Sequence, residues 1–198
     1  MIIVVDLDDT IADTDNYSEK YIAQFIKDNN LPYKQVKKVC RFAEEKFDWT
    51  LDEALLWYKT HGDKMMREFP CREFSVETLN KLHDEGHQIV IATARATDWH
   101  SNPVEATDEW LKKVGLKFNK IYIGRKDKEN ICNEEKADFF IDDDVKICSR
   151  VADNCRKTKS LLISTDYNKT LSLTSGVERI EDLRGLEKLI QNEKSLGE

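Results

Sequence analysis

Acidic side chains stand together at two places in the chain, each directly after an apolar run. Asp6 and Asp8 belong to V-V-D-L-D-D-T at residues 4–10, and Asp142–Asp144 end the segment F-F-I-D-D-D. Crowded carboxylates repel one another, and a divalent cation relieves that repulsion. Hard oxygen ligands with room for waters and a phosphate oxygen suit Mg²⁺. The two groups therefore predict a magnesium site, provided that the fold brings them together.

A hydroxyl and a lysine occupy comparable positions in two other segments. Thr93 ends the run V-I-A-T-A-R, and Lys126 or Lys128 precedes the strand that ends at Asp142. Taken singly, each feature is also typical of a surface turn, a helix cap or a solvated lysine. Their combination at strand ends is more specific. Lys128 is favoured over Lys126 because it opens K-E-N-I-C, whose apolar side chains can face a core.

The elements that must position these groups follow from the apolar pattern. Short apolar runs predict strands at Ile2–Asp6, Gln88–Thr93, Lys120–Ile123, Asp138–Asp142 and Ser160–Ser164, with a shorter one at Val177–Ile180. Helical patterns separate them at Val76–Glu85, Val104–Val114, Asp127–Glu135, Val145–Asn154 and Asp182–Gln191, and the tail after Gln191 is expected to fray. This alternation predicts an α/β fold, a Rossmann-like parallel sheet with helices on both faces. Ligands bind beyond the carboxyl ends of such strands.

A long charged and aromatic stretch interrupts this alternation after the first strand. It predicts a small helical cap with helices at about Asn16–Asn29, Tyr33–Phe47 and Leu51–Phe69. Asp15 or Asn16 could cap the first helix, and Thr50 with Glu53 forms a capping-box pattern before the third. The expected domains are residues 1–13 with 73–198 as the α/β core, and residues 14–72 as the cap, which we call the cap segment.

Composition narrows the classes of partner. The net charge of −7 disfavours long nucleic acids and anionic membranes, but it does not disfavour a small phosphorylated partner. No apolar run approaches the roughly 20 residues that span a bilayer. The five cysteines form no C-x-x-C pair, which favours buried structural thiols in a reducing cytoplasm over a zinc site at Cys132, Cys148 and Cys155.

The ordered set D-L-D-D-T, Thr93, lysine and Asp142–Asp143 resembles the motifs of the haloacid dehalogenase-like phosphatase superfamily. The resemblance covers about the whole chain, and an insert after the first motif resembles that superfamily's helical cap. It implies that Asp6, the Asp8 backbone carbonyl and Asp143 hold Mg²⁺, with Asp142 in support. It also implies that Asp6 is a nucleophile that forms an aspartyl phosphate.

The same resemblance implies roles for the other groups. Asp8 would act first as a general acid and then as a general base, and its presence favours phosphoryl transfer over other superfamily chemistries. Thr93 and nearby backbone N–H groups would bind phosphate oxygens. Lys128, or Lys126, would neutralise charge on the phosphoryl group.

The helix after the second motif is similar to that of the 5'(3')-deoxyribonucleotidase family and its bacterial relatives. Thr107, Trp110 and Leu111 match its Thr-x-x-Trp-Leu pattern. Ala94 and Arg95 are candidate substrate contacts, although Arg95 could equally form a surface salt bridge. Cap aromatics that could bind a base are Phe42, Phe47, Trp49, Trp57 and Tyr58, with Trp49 the most suggestive.

Two departures from that family's mammalian pattern stand out: Asp144 replaces a basic residue, and the stretch between the lysine and Asp142 is longer. Sugar phosphates, phosphoglycolate or a polynucleotide 3'-phosphate are alternative substrates. A non-catalytic binding module would be expected to have lost Asp6 or Asp8. The base, the sugar, the phosphate position and the oligomeric state stay open.

Overall fold

The computed structural model describes residues 1–31, 35, 37 and 43–196, and its centre is a parallel sheet. The strands are β1 (Ile2–Val5), β2 (Gln88–Thr93), β3 (Lys120–Ile123), β4 (Phe139–Asp142), β5 (Lys159–Ile163) and β6 (Val177–Ile180). Their order in the sheet is β3-β2-β1-β4-β5-β6. Strand β1 pairs with β2 on one side and with β4 on the other, so the ends of these three strands lie side by side.

The four central strands, β1, β2, β4 and β5, are buried on both faces, which explains why they are mostly apolar. Alternate side chains point to opposite faces. Ile3 and Val5 belong to one hydrophobic cluster, whereas Val4 and Val90 belong to a second. The described helices are α1 (Thr14–Asp28), α2 (Ala43–Phe47), α3 (Leu51–Trp57), α4 (Asp63–Glu68), α5 (Ser75–Asp84), α6 (Pro103–Val114), α7 (Lys128–Glu135), α8 (Val145–Asn154) and α9 (Arg184–Leu196).

The third predicted helix of the cap segment is confirmed, because the chain is helical from Leu51 to Glu68, but it is not α-helical throughout. Helices α3 and α4 are joined by a π-helical turn, Tyr58–Gly62. The imidazole of His100, from the loop after β2, packs against the position that a Cβ on Gly62 would occupy. Because this distortion is coupled to a contact more than 35 residues away in the chain, local helical periodicity could not reveal it.

The start of α1 also differs from the prediction. Asp15 and Asn16, the expected caps, lie within the first turn, and Asp13 precedes the helix without a side-chain capping bond. Instead, Asp9 Oδ1 accepts hydrogen bonds from the backbone N–H groups of Thr14 and Asp15, both at 2.9 Å. The predicted capping box at Thr50 and Glu53 is confirmed.

Two further expectations concern chain segments rather than single contacts. The tail after Gln191 does not fray at once, because α9 continues to Leu196. Ser195 Oγ donates to Gln191 O at 3.0 Å, and Lys159 forms an ion pair with Glu193, so polar contacts extend the helix.

Most of the predicted helix Tyr33–Phe47, with Cys40 and Phe42, lies outside the described residues. None of the described helices combines the length and apolar character that a membrane span requires.

Candidate active site

Three carboxylates meet where β1 and β4 end. Asp6, Asp142 and Asp143 each offer an oxygen within 4.8 Å of those of the other two, and all three residues are buried. The backbone holds them together, since Asp6 N donates to Ile141 O at 2.9 Å and thereby extends the pairing of the two strands. The fold thus brings together two acidic groups that lie far apart in the sequence.

Lys128, the first residue of α7, lies against this acidic cluster. Its ammonium group donates to Asp6 Oδ1 and to Ala92 O, and it lies 3.9 Å from Asp142 Oδ2. Burial opposes the charge on Lys128, but the carboxylates of Asp6 and Asp142 outweigh burial and raise the pKa of Lys128. Lys126 is exposed and lines the neighbouring cavity. Of the two candidate lysines, the structure therefore places Lys128 beside Asp6.

The acidic cluster has the chemistry of a divalent-metal site. Three carboxylates carry more negative charge than the single Lys128 ammonium can balance, and their oxygens are hard ligands. Because buried like charges at this spacing repel one another, a bound cation would stabilise them. Asp6, Asp142 and Asp143 could therefore hold a metal ion such as Mg²⁺.

Asp8 lies apart from the acidic cluster and faces the cavity. Its carboxylate is paired with Arg95, whose Nη2 lies 2.6 Å from Asp8 Oδ1. The Arg95 side chain is only 2% exposed, and its Nη1 donates to Thr107 Oγ1 at 3.1 Å. Arg95 therefore joins Asp8 to α6 in a partly buried ion pair, not in a surface salt bridge.

The residues before Arg95 differ in their access to the cavity. Thr93 is fully buried, and its Oγ1 accepts a hydrogen bond from Arg95 N at 3.3 Å. Ala94 is exposed and lines the cavity. The strand-end hydroxyl thus lies under the loop, while the following backbone forms part of the cavity wall.

A cavity of about 600 Å³ opens above these groups. Its floor includes Asp8, Arg95 and Lys128. Large apolar or aromatic side chains on its wall are Ile22, Trp57, Tyr58, Met65, Met66, Phe69 and Trp99. Charged side chains on its wall are Asp15, Glu19, Lys46, Lys126, Lys146 and Arg150. The cavity can therefore hold a small organic molecule.

The candidate aromatics fall into two groups. Trp57 and Tyr58 line the cavity. Trp49 instead packs inside the cap segment, with ring centroids 5.2 Å from Phe25 and 5.4 Å from Phe47. Its place beside a helix–helix turn reflects cap packing, and Phe42 lies outside the described residues.

Sequence reasoning missed Trp99 and His100, which line the cavity from the loop after β2. Their nearness to Arg95 in the chain was the available signal, because loops after strand ends commonly form binding sites in parallel sheets. Tyr58 contacts both rings edge-on, at 5.4 and 5.6 Å. Burial lowers the pKa of His100 to about 4, so the imidazole is neutral near pH 7.

Two carboxyl groups on the cap side of the cavity have shifted pKa values. Burial raises the pKa of Asp9 to about 6, although the backbone N–H of Asp15 opposes the shift. Burial likewise raises the pKa of Asp15 to about 6, with Lys46 opposing and Glu19 adding to the shift. Lys46 is itself buried and forms an ion pair with Glu19.

Solved structures define the class of fold. A haloacid dehalogenase-like hydrolase from Streptococcus pneumoniae is 14% identical over 95% of this chain and 97% of its own, with a TM-score of 0.69. D,D-heptose 1,7-bisphosphate phosphatase from B. bronchiseptica, complexed with magnesium and phosphate, is 15% identical over 96% and 98%, with a TM-score of 0.55. The predicted α/β class is confirmed, and the fold is haloacid dehalogenase-like.

A family model assigns the chain more narrowly. Residues 1–196 match the family described as 5' nucleotidase, deoxy (pyrimidine), cytosolic type C protein (NT5C), and the chain belongs to this family. A Bacillus cereus protein provisionally named a nucleotidase is 36% identical over 74 residues. That match spans 35% of this chain and 37% of the relative. The predicted family is confirmed.

Proposed function

We propose that the protein is a magnesium-dependent phosphatase that hydrolyses nucleoside monophosphates through an aspartyl phosphate on Asp6. The observation that carries the proposal is the contact of Asp6 with Lys128, beside Asp142 and Asp143 and below a cavity that contains Asp8. In this proposal Asp6 is the nucleophile, Lys128 the cation and Asp8 the proton-transfer group. Membership of the NT5C family supports the same chemistry.

In the first half-reaction, a carboxylate oxygen of Asp6 attacks phosphorus and the bond from phosphorus to the ester oxygen breaks. Asp8 donates its proton to the leaving oxygen. The negative charge of an incoming phosphate favours the protonated Asp8 carboxyl that this step requires. Bound Mg²⁺, held by Asp6, Asp143 and the Asp8 backbone carbonyl with Asp142 in support, would supply stabilisation of phosphoryl charge.

In the second half-reaction, Asp8 takes a proton from water while the water oxygen attacks phosphorus. The bond from phosphorus to Asp6 breaks, phosphate leaves, and Asp8 again carries the proton that the next turnover needs. Lys128 balances charge on Asp6 and on the phosphoryl group throughout. The backbone at Ala94, which lines the cavity, binds phosphate oxygens in this proposal, and Thr93 supports that loop by accepting the hydrogen bond from Arg95 N.

The cavity supports a nucleotide as the organic part of the substrate. Its volume of about 600 Å³ and its aromatic wall suit a sugar with a flat base. The cap segment, residues 14–72, acts as a separate lid-like domain that selects this part of the substrate. The family description supports a cytoplasmic location for the activity.

A panel of phosphomonoesters assayed with Mg²⁺ tests the proposal. We expect nucleoside monophosphates to exceed sugar phosphates and phosphoglycolate by about tenfold or more in kcat/KM. Asp6→Asn should abolish turnover, whereas Asp153→Asn, at an exposed position on α8, should not.

Each part of the proposal can fail separately in this panel. If sugar phosphates exceed every nucleotide by about tenfold, the nucleotide assignment is wrong. Activity that survives a chelator contradicts the metal role. Activity that survives in Asp6→Asn contradicts the covalent route.

A further inference from the structure

The Asp143 carboxylate receives hydrogen bonds from two distant parts of the chain. Thr10 Oγ1, from the first acidic motif, lies 3.4 Å from Asp143 Oδ1. The phenolic O–H of Tyr167, in the segment after β5, donates to Asp143 Oδ2. Tyr167 is 24 residues away in the chain and belongs to neither acidic group. The orientation of Asp143 is thus fixed partly from outside the motif that contains it.

Asn168, the neighbour of Tyr167, fixes the backbone on both sides of this contact. Its Nδ2 donates to Asp143 O and to Ile163 O, both at 2.8 Å. Its Oδ1 accepts from Thr165 N at 2.9 Å. One buried amide therefore ties the end of β5 to the residue that follows β4.

Arg179 on β6 extends the same hydrogen-bond chain across the sheet. Its Nη1 donates to Asn168 Oδ1 at 3.0 Å, and its Nη2 donates to Asn168 O at 3.2 Å and Leu171 O at 3.0 Å. The chain of contacts runs from β6 through Asn168 to Asp143. It gives the segment after β5 a fixed place relative to the acidic cluster.

The burial pattern shows that apolar packing does not hold this segment. Asn168 is 1% exposed and is the one buried residue of segment 164–176, where even Leu171 and Leu173 are exposed. A buried amide is stable only when its hydrogen bonds are satisfied, and those of Asn168 include one to Asp143. The segment is therefore ordered by polar contacts that converge on the acidic cluster.

We propose that Tyr167 and Asn168 are positioning residues for Asp143 and set the orientation in which its carboxylate meets Mg²⁺. The proposal rests on the metal role in the proposed function. Each carboxylate oxygen has two lone-pair directions, so Asp143 Oδ2 can accept the Tyr167 hydroxyl and still face a cation. Hydrogen-bond partners of a metal-binding carboxylate restrict its rotation, and their loss weakens metal binding by about 10- to 100-fold.

The test is Mg²⁺ binding by Tyr167→Phe, measured by isothermal titration calorimetry without substrate. Tyr122→Phe is a matched control, because the Tyr122 hydroxyl also donates to a carboxylate, that of Glu135. We expect the Kd for Mg²⁺ to rise about tenfold in Tyr167→Phe and to stay unchanged in Tyr122→Phe. Melting temperatures in chelator should be similar for both variants.

A second variant, Asn168→Ala, removes the amide that holds the segment. We expect weaker Mg²⁺ binding than in Tyr167→Phe, together with a lower melting temperature, because several hydrogen bonds are lost. Weaker binding by Tyr167→Phe at an unchanged melting temperature supports positioning, since a purely structural role would alter only stability.

The outcomes separate this inference from the proposed function. Unchanged Mg²⁺ affinity in Tyr167→Phe overturns the positioning role, even if the wild-type protein is an active phosphatase. Weakened affinity supports it, even if no phosphomonoester is hydrolysed. A wild-type protein that binds no Mg²⁺ overturns the positioning role and the metal role together.

Discussion

The guanidinium group of Arg95 binds the carboxylate of Asp8 through Nε and Nη2, with contacts of 3.1, 3.0 and 2.6 Å. Arg95 is held in turn by Thr107 on α6. Arg95, two residues after the strand-end hydroxyl of Thr93, therefore has a role of its own in the site. It orients the side chain that we propose as the proton-transfer group.

We predict that Arg95→Met lowers kcat/KM by about 100-fold, because misplacement of Asp8 by about 1 Å costs that much. Thr107→Val, which removes only the support for Arg95, should have a smaller effect in the same direction. Arg184→Met is the matched control, since Arg184 forms a similar two-point pair with Asp182 outside the site. Steady-state assays on all three variants give the answer, and equal rates for Arg95→Met and Arg184→Met would contradict the orienting role.

We predict that substitution of Lys128 lowers activity much more than substitution of Lys126. Lys128→Met removes the cation that contacts Asp6, so we expect a loss of about 100- to 1,000-fold in kcat. Lys126→Met removes an exposed cation on the cavity wall and should lower kcat/KM only a few-fold through weaker substrate attraction. Single-turnover rates of the two variants measure the difference. A larger loss in Lys126→Met would reverse the assignment.

Trp99 offers a test of the substrate's aromatic part. Base–aromatic stacking is worth about 1–3 kcal/mol, so Trp99→Ala should raise KM for nucleotides by roughly 5- to 150-fold. Trp99→Phe, which retains an aromatic face, should recover most of that loss. Glycerol 2-phosphate, which has no base, serves as the comparison substrate in each variant. An equal rise in its KM would show that Trp99 supports the fold of the loop and does not bind a base.

The raised pKa of Asp15 predicts how the stability of the folded protein changes with pH. Folding raises its pKa from 3.8 to about 6, chiefly through burial. Between those pH values the folded protein keeps a proton that the unfolded chain has released. The free energy of unfolding should therefore fall as pH rises through this window, and the loss is complete above about pH 6.

Asp15→Asn cannot ionise and should stabilise the protein more at about pH 7.5 than at about pH 4. We expect a difference on the order of 1 kcal/mol, reduced from the full linkage value by the partial exposure of Asp15. Urea unfolding in chelator at both pH values measures it, with Asp153→Asn as an exposed-acid control. The same change in stability at both pH values would contradict the pKa shift.

Much of the sheet could be read from the sequence because its central strands, β1, β2, β4 and β5, are buried on both faces. The bounds of β2, β3, β6 and α8 coincide with the prediction, and the other elements of the α/β core differ by a few residues at their ends. In such a sheet, the polar residues that bound an apolar run mark the ends of a strand. The same logic placed Asp6 and Asp142 at neighbouring strand ends.

The missed features depend on tertiary contacts. The π-helical turn at Gly62 is coupled to His100, and the support of Asp143 by Tyr167 comes from a different strand loop. Lys46 is buried through its pair with Glu19, although a lysine in a charged helix is typical of an exposed face. None of these contacts leaves a local pattern, because both partners have ordinary neighbours in the chain.

We propose transfer of a phosphoryl group to Asp6, and mass spectrometry can detect this group directly. Asp8→Asn lacks the base for the second half-reaction, so with p-nitrophenyl phosphate and Mg²⁺ the covalent species should accumulate. We predict one phosphoryl group on the peptide that contains Asp6, labile to hydroxylamine and missing when Asp6→Asn is added. Rapid release of p-nitrophenol by Asp8→Asn without any phosphorylated Asp6 would contradict it.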